Sequence, residues 1–358
     1  MTRGNVEITG IRKEFGDVVA VDGIDIKIQP GEFFTILGPS GCGKTTTLRM
    51  IAGLERPTSG EVHISNQEVT NKPANKRDTS IVFQRWALFP HMSVGENISF
   101  GLEMQGVAKN ERKDRVKEVL DLVELQGYEE RSATDLSGGQ KQRVAMARSI
   151  VQEPDVLLLD EPLASLDRSL RERLQIELKN IQAELGTTFI YVTHDQEEAL
   201  SMSDRIAVMN EGHVEQVGGV TELYEKPETR FVADFLGETN LFDGKVAKNG
   251  SYAKIQSDID VHIDEGVIPE TGVNGSDVTY TVRPESLKIS EAKLDVENVW
   301  TGTIENVIYK GSNTLYEVKL AESNRRISVL QQRTREAAPY DGDESVFVGF
   351  ESTEGQLV

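Results

Sequence analysis

The sequence predicts an α/β domain built on a parallel sheet, followed by a small all-β domain. Three observations carry this. Five short apolar runs, at residues 33–37, 80–83, 156–159, 188–192 and 205–209, lack polar alternation, as strands buried on both faces do. Helical patterns alternate with them: Leu170, Leu174, Leu178, Ile181 and Leu185 share one face, as do Val116, Val119, Leu120 and Val123. After about Asn240 the chain changes to short alternating segments with turn signals, as in TYTVRPESLKI, GTIENVIYKGSNTLYEVKL and SVFVGF.

The expected organisation is therefore an α/β domain over 1–240 and a β domain over 241–358. Within the first, residues of about 85–155 hold helical patterns without convincing strands and read as a helical insert. A length of 358 residues allows each domain its own core. The composition, 38% hydrophobic and 27% charged, is that of a soluble protein. No stretch approaches the roughly 18–20 apolar residues needed to span a bilayer, and no signal-peptide pattern is read at the start. A single cysteine, Cys42, excludes an intrachain disulfide and fits a reducing compartment. The formal charge is −20, and residues 241–358 carry 12 basic against 20 acidic side chains. Such a surface repels nucleic-acid phosphates and anionic lipid heads, so no nucleic-acid partner is expected and a membrane role requires a protein dock. Adaptation to high salt is another source of such acidity.

The strongest motif is GPSGCGKTT at residues 38–46, which follows an apolar strand and leads into a helix. Phosphate oxygens need many close donors. Gly38, Gly41 and Gly43 let the backbone of Gly38, Pro39, Ser40, Gly41, Cys42, Gly43, Lys44, Thr45 and Thr46 wrap the phosphates, with every N–H but that which Pro39 lacks free to turn inward, and the helix N-terminus adds partial positive charge. Lys44 then bridges the β- and γ-phosphates of ATP, and the Thr45 hydroxyl meets Mg²⁺. Cys42 reads as a small filler.

VLLLDEP, at 156–162, is a buried strand ending in two carboxylates. Beside a phosphate loop, Asp160 is expected to hold the metal through its water shell, and Glu161 to act as base or positioner for the attacking water. Alone, such a pair simply keeps a strand end solvated. His194 closes the run IYVTH, where open α/β sheets place their ligands; it is either a satisfied histidine or a donor to the γ-phosphate. Gln84 stands at another strand end, as a surface amide or as a contact to metal or water. Phe15 is either core or a stacking face for adenine.

LSGGQ, at 136–140, combines two readings. Ser137 and Gln140 fit S-x-x-Q, a capping box. That leaves Gly138 and Gly139, poor residues for a first turn. Bare N–H groups at a helix start make a second anion site. One ATP does not readily fill both sites if the insert carries LSGGQ away from the phosphate loop. The economical reading has LSGGQ close on ATP held by another copy, in a head-to-tail pair under a two-fold axis. Asp167, in ASLD, then lies at the seam.

Taken in order, Phe15, GPSGCGKTT, Gln84, LSGGQ, VLLLDEP, ASLD and His194 resemble the ATP-binding-cassette ATPases over about residues 1–235. LFPHMSVGENISFGL and THDQEEALSMSDRI resemble the importer class whose ATPase subunit carries a C-terminal transport-associated OB-type (TOBE) domain, and VRPESLKI resembles a signature of that domain. The junction YEKPETRFVADFLGETNLFDGKV is most similar to spermidine/putrescine import ATPases; iron(III), sulfate, molybdate and sugar importers share the layout. ASLD stands where SALD is the commoner order, with Asp167 retained. The resemblance implies a P-loop ABC-type core, ATP and Mg²⁺, a homodimer or paired ATPase subunit, an integral-membrane permease, an extracytoplasmic solute-binding protein, and a peripheral place on the cytoplasmic face of the inner membrane. A permease helix would dock near residues 84–91. Trp86, Leu88 and Phe89 are candidates for that surface, or ordinary packing of the insert. Arg283 and Glu285 read as a turn-stabilising pair around Pro284.

Rival readings are less well supported. A chromosome-type ATPase requires a long coiled coil between the phosphate loop and LSGGQ, and no sustained heptads occur there. A translation-type protein usually carries two cassettes. An OB-type module that binds nucleic acid is opposed by the negative charge and sparse aromatics of residues 241–358.

Overall fold

The apolar runs form strands because each is covered on both faces. The computed structural model describes residues 4–84, 87–164, 166–249, 252–264, 266, 268, 275–333 and 340–358. It divides into two compact units, Met1–Val220 and Thr221–Val358. In chain order the first holds β1 (Val6–Phe15), β2 (Val18–Ile28), β3 (Phe33–Leu37), α1 (Lys44–Ala52), β4 (Ser59–Ile64), β5 (Gln67–Glu68), β6 (Thr79–Val82), α2 (Val94–Met104), α3 (Lys109–Leu122), α4 (Gly138–Ile150), β7 (Val156–Asp160), α5 (Arg168–Leu185), β8 (Thr188–Thr193), α6 (Gln196–Met202), β9 (Arg205–Asn210) and β10 (His213–Gly219).

Six strands form one sheet in the order β10-β9-β3-β8-β7-β6, parallel except for β10. Successive residues point to opposite faces. Phe33, Leu157, Leu159, Phe189 and Tyr191 join the core beneath α2–α6, whereas Phe34, Ile36, Leu158, Ile190 and Val192 face α1 and a second sheet. All five expected parallel strands are present. The helices behave as their patterns suggest, with Leu174, Leu178 and Ile181 buried on α5 and Leu185 at its exposed end. The second sheet, antiparallel in the order β2-β1-β4-β5, was not among the sequence-based expectations. Register shifts along β1, after Ile8, Ile11 and Lys13, interrupt the two-residue alternation that would have marked it.

The boundary falls at the first residue of α7 (Val220–Glu225), and the second unit goes on with α8 (Arg230–Phe235), β11 (Asn240–Asn249), β12 (Tyr252–Gln256), β13 (Val261–Ile263), β14 (Asp277–Val282), β15 (Lys288–Ser290), β16 (Asn298–Tyr309), β17 (Asn313–Leu320), β18 (Arg326–Gln332), β19 (Ser345–Phe350) and β20 (Gly355–Leu357). Two five-stranded antiparallel sheets, β13-β12-β11-β14-β20 and β15-β19-β16-β17-β18, share one core around Phe242, Tyr280, Trp300 and Phe350. Composition changes near residue 240, whereas packing changes near 220. Arg283 accounts for part of the difference: its guanidinium donates to the carbonyls of Tyr224, Ala233, Gly237 and Glu238. Glu285 accepts from the Tyr224 hydroxyl at 2.6 Å. Both residues therefore hold segment 224–238 to the β sheets, rather than pairing with each other around Pro284.

Candidate nucleotide site

The loop at residues 38–46 joins β3 to α1, and its glycines answer to distinct steric demands. A side chain at Gly38 would put Cβ 2.2 Å from the Met209 carbonyl oxygen, and one at Gly43 would stand 2.5 Å from that of Ala20. Gly41 and Gly43 also adopt φ of +86° and +103°, the left-handed region that glycine enters freely. Gly43 starts α1 without a side-chain cap, so the first-turn N–H groups keep no side-chain acceptor there. Lys44 is buried, and its ammonium donates to the carbonyls of Gly38 and Pro39 at 2.7 and 2.9 Å, arched over the loop. Cys42 is buried, and burial pushes its thiol up, which suits a filler.

The C-terminal ends of β3, β6, β7 and β8 bring together the other candidates. Thr45 Oγ1 donates to Asp160 Oδ1 at 2.9 Å. Asp160 is 7% exposed, and burial raises its carboxyl against the opposing pull of Thr45 and Arg49. Glu161 follows in the left-handed region at φ +46°, its N–H bonded to the Val192 carbonyl at 3.0 Å. A non-glycine residue held there costs on the order of 1–3 kcal/mol, the sort of strain that functional turns retain. Gln84 Nε2 donates to Glu161 Oε2 at 3.4 Å, and His194 Nδ1 lies 3.1 Å from Glu161 Oε1. Each carboxylate oxygen of Glu161 thus has its own partner. His194 is half-exposed, facing this cluster rather than the core.

Among the described residues, the other candidates share no hydrogen bond with this cluster. Phe15 is 48% exposed, so the core alternative does not apply, and the Lys13 ammonium sits 4.7 Å over its ring. Ser137 caps α4 in a complete capping box: its hydroxyl accepts from the Gln140 N–H, and Gln140 Oε1 accepts from the Ser137 N–H. Intrahelical bonding starts at Lys141, leaving Gly138 and Gly139 in the turn that helix geometry does not satisfy. Gly139 has a packing role as well, because its Cβ would come 3.3 Å from the Leu170 side chain. Among the described residues, no hydrogen bond joins 137–140 to 38–46. Asp167 caps α5, accepting the Leu170 N–H at 3.0 Å. Leu88 and Phe89 are half-buried on the insert, Phe89 with its ring 4.8 Å from Phe100; Trp86 lies outside the described residues. Sequence reasoning missed Arg171, Asp195 and Glu198, which surround the His194 turn. The D-x-x-E spacing of Asp195 and Glu198 was the available signal, since Asp195 caps α6 through the Glu198 N–H.

Residues 21–164 match the family model for the ABC transporter, and residues 280–358 match that for the TOBE domain. The spermidine/putrescine import ATP-binding protein PotA of Rubrobacter xylanophilus is 49% identical over 350 residues, covering 97% of this chain and 92% of that protein. The chain belongs to the ABC transporter ATP-binding proteins. The PotA of Thermobifida fusca is also 49% identical, over 89% of this ABC subunit and 83% of its own length. Among solved structures, cbiO1 from Clostridium perfringens, part of the ABC transporter complex cbiONQ, aligns with a TM-score of 0.59 and 32% identity. That alignment covers 64% of this ABC subunit and 93% of cbiO1. A dimeric post-hydrolysis structure of the ATP-binding cassette MJ0796, bound to ADP and Pi, aligns at 0.53 and 33%, over 60% and 98%. This ABC subunit is an ATPase: an α/β cassette followed by a TOBE-type β domain. No described helix is long and apolar enough to cross a membrane.

Proposed function

We propose that this ABC subunit powers polyamine import by hydrolysing ATP between two subunits paired head to tail, on the cytoplasmic face of the inner membrane. The division of labour would follow residues 1–240 as the ATPase domain and 241–358 as the TOBE domain. Polyamine as solute rests on relatives of 47–49% identity whose names specify spermidine/putrescine import. A separate permease, docked near Gln84, Leu88, Phe89 and His91, and an extracytoplasmic solute-binding protein would complete the system.

The observation that carries the chemistry is the convergence of Lys44, Thr45, Gln84, Asp160, Glu161 and His194 at one edge of the parallel strands. In this reading Phe15 stacks on adenine, residues 38–46 wrap the phosphates, all but Pro39 offering an N–H, and Lys44 leaves its two carbonyls for the β- and γ-phosphates. Thr45, Asp160 and Gln84 offer the oxygen donors that Mg²⁺ takes. The fit is electrostatic too: burial disfavours the Asp160 carboxylate, and a dication beside it restores the charged form. Bound there, Mg²⁺ supplies charge neutralisation for the phosphate oxygens. Glu161 orients a water and accepts its proton as the water oxygen attacks the γ-phosphorus and ADP departs. His194 and Gln84 fix the Glu161 carboxylate from either side. Ser137, Gly138, Gly139 and Gln140 of one copy close on the γ-phosphate held by the other, with Asp167 at the seam.

Replacing Glu161 by Gln keeps the shape and removes the base. ATP binding should persist while turnover falls by about 10²–10⁴-fold, and sedimentation with ATP should reveal a stable dimer. A variant that stays monomeric and still hydrolyses ATP would overturn the assignment. For the solute, spermidine or putrescine should accelerate ATP turnover of the complex reconstituted with its permease and binding protein. Acceleration by a sugar or oxyanion instead would reject polyamine.

A further inference from the structure

Arg171 lies four residues after Asp167, and its guanidinium spans two turns of the chain. Nη2 donates to the Leu166 carbonyl at 3.2 Å, on the ASLD side. Nη1 donates to Asp195 Oδ2 at 2.9 Å, on the His194 side, and Nε stands 3.7 Å from Glu198 Oε1. The His194 side is itself tightly bonded. Asp195 Oδ1 accepts the Glu198 N–H at 3.2 Å, and the Asp195 N–H donates to Thr193 Oγ1 at 3.0 Å. The hydroxyls of Thr193 and Tyr191 both donate to Glu198 Oε2, at 2.7 and 2.6 Å. Glu198 is 2% exposed, so this acid is held by hydrogen bonds and by the nearby guanidinium rather than by water. Both chain neighbours of His194 are thereby fixed, which sets the direction in which its ring leaves the backbone.

We propose that Arg171 is a positioning residue that makes the Asp167 turn and the His194 turn one rigid piece, so that docking of a second copy at Asp167 sets His194 against Glu161. A planar fork suits this task. It bonds a carbonyl and a carboxylate in fixed relative directions, which the point charge of lysine does not do. The proposal rests on the roles given above to Asp167, Glu161 and His194. It adds that the route from the seam to the reacting water runs through one side chain that touches neither nucleotide nor water. Misplacing a reacting group by about 1 Å, from a change remote from the chemistry, can cost roughly 100-fold in rate.

The test is steady-state ATP hydrolysis by the full-length chain, with folded state checked by thermal melting. Arg171→Ala and Arg171→Lys should both lower kcat, by about 10–100-fold, with the KM for ATP within about twofold of the parent. Asp195→Asn keeps an oxygen to cap α6 and removes the charge that Arg171 grips, and it should reproduce the loss. The double variant Arg171→Ala/Asp195→Asn should be no slower than the worse single variant, because both break one link. Normal kcat in a folded Arg171→Ala or Asp195→Asn variant, a rise in KM at constant kcat, or multiplicative losses in the double variant would overturn the proposal. Should Arg171→Ala not fold, Arg171→Lys and Asp195→Asn decide the matter by the same split. Lys44→Ala serves as the separating control: if it still binds ATP by calorimetry, the phosphate-loop reading itself fails, whatever Arg171 does.

Discussion

Two glycine-rich helix starts in the first unit, at α1 and α4, are built in opposite ways. At α1 no side chain caps the helix, a buried lysine arches over the loop, and two glycines are required by backbone oxygens 2.2 and 2.5 Å from where a Cβ would stand. At α4 a serine and a glutamine complete a capping box, and the tighter glycine faces only the side chain of Leu170. The first start, in the function proposed above, is a self-contained anion cradle within one chain. The second is a stable helix end that, among the described residues, no hydrogen bond ties to residues 38–46. The difference teaches that glycine is demanded in two ways here: by its own fold's backbone oxygens at α1 and, in the function proposed above, by the nucleotide of another copy at α4.

Three substitutions sharpen this contrast, in falling order of effect on stability. Gly38→Ala forces a methyl against the rigid Met209 carbonyl, and it should destabilise the chain by up to about 3 kcal/mol. Denaturant melts give the value; a loss below about 0.5 kcal/mol would mean that the loop yields easily. Ser137→Ala removes one cap hydrogen bond and should cost about 1 kcal/mol, again by denaturant melts, with ATP affinity of the monomer unchanged. Gly139→Ala should fall within about 0.5 kcal/mol of the parent, since the gain in helix propensity is opposed by a contact that Leu170 can relieve. Its ATP turnover should nevertheless drop by at least about tenfold, if the backbone there meets a partner's nucleotide. A Gly139→Ala chain with normal turnover would reduce that glycine to a packing residue.

The parallel sheet and the phosphate loop were legible because their signals are local. Five apolar runs, a strand-to-helix turn and a Lys–Thr pair each sit within a dozen residues. Gln84, Glu161 and His194 were legible only as separate strand-end residues. Their meeting at one carboxylate depends on β6, β7 and β8 lying side by side, an order that sequence alone does not fix. The β1–β4 pairing joins segments about fifty residues apart through an irregular strand, so periodicity could not reveal it. The Arg171 fork was hidden for a similar reason, because Leu166, Asp195 and Glu198 meet only in the fold. LSGGQ was legible as a cap but incomplete as a site. Its packing partner Leu170 lies on another helix, and its nucleotide, in the account given above, belongs to another molecule.

That sharing of the nucleotide is best tested in the background that retains ATP without turning it over. A Glu161→Gln chain and a Glu161→Gln/Ser137→Arg chain would be compared by calorimetry and sedimentation with ATP. Both should bind ATP with the same affinity per monomer, and only the first should form a dimer. Loss of monomer affinity in the second chain, or a dimer formed equally well by both, would contradict the account.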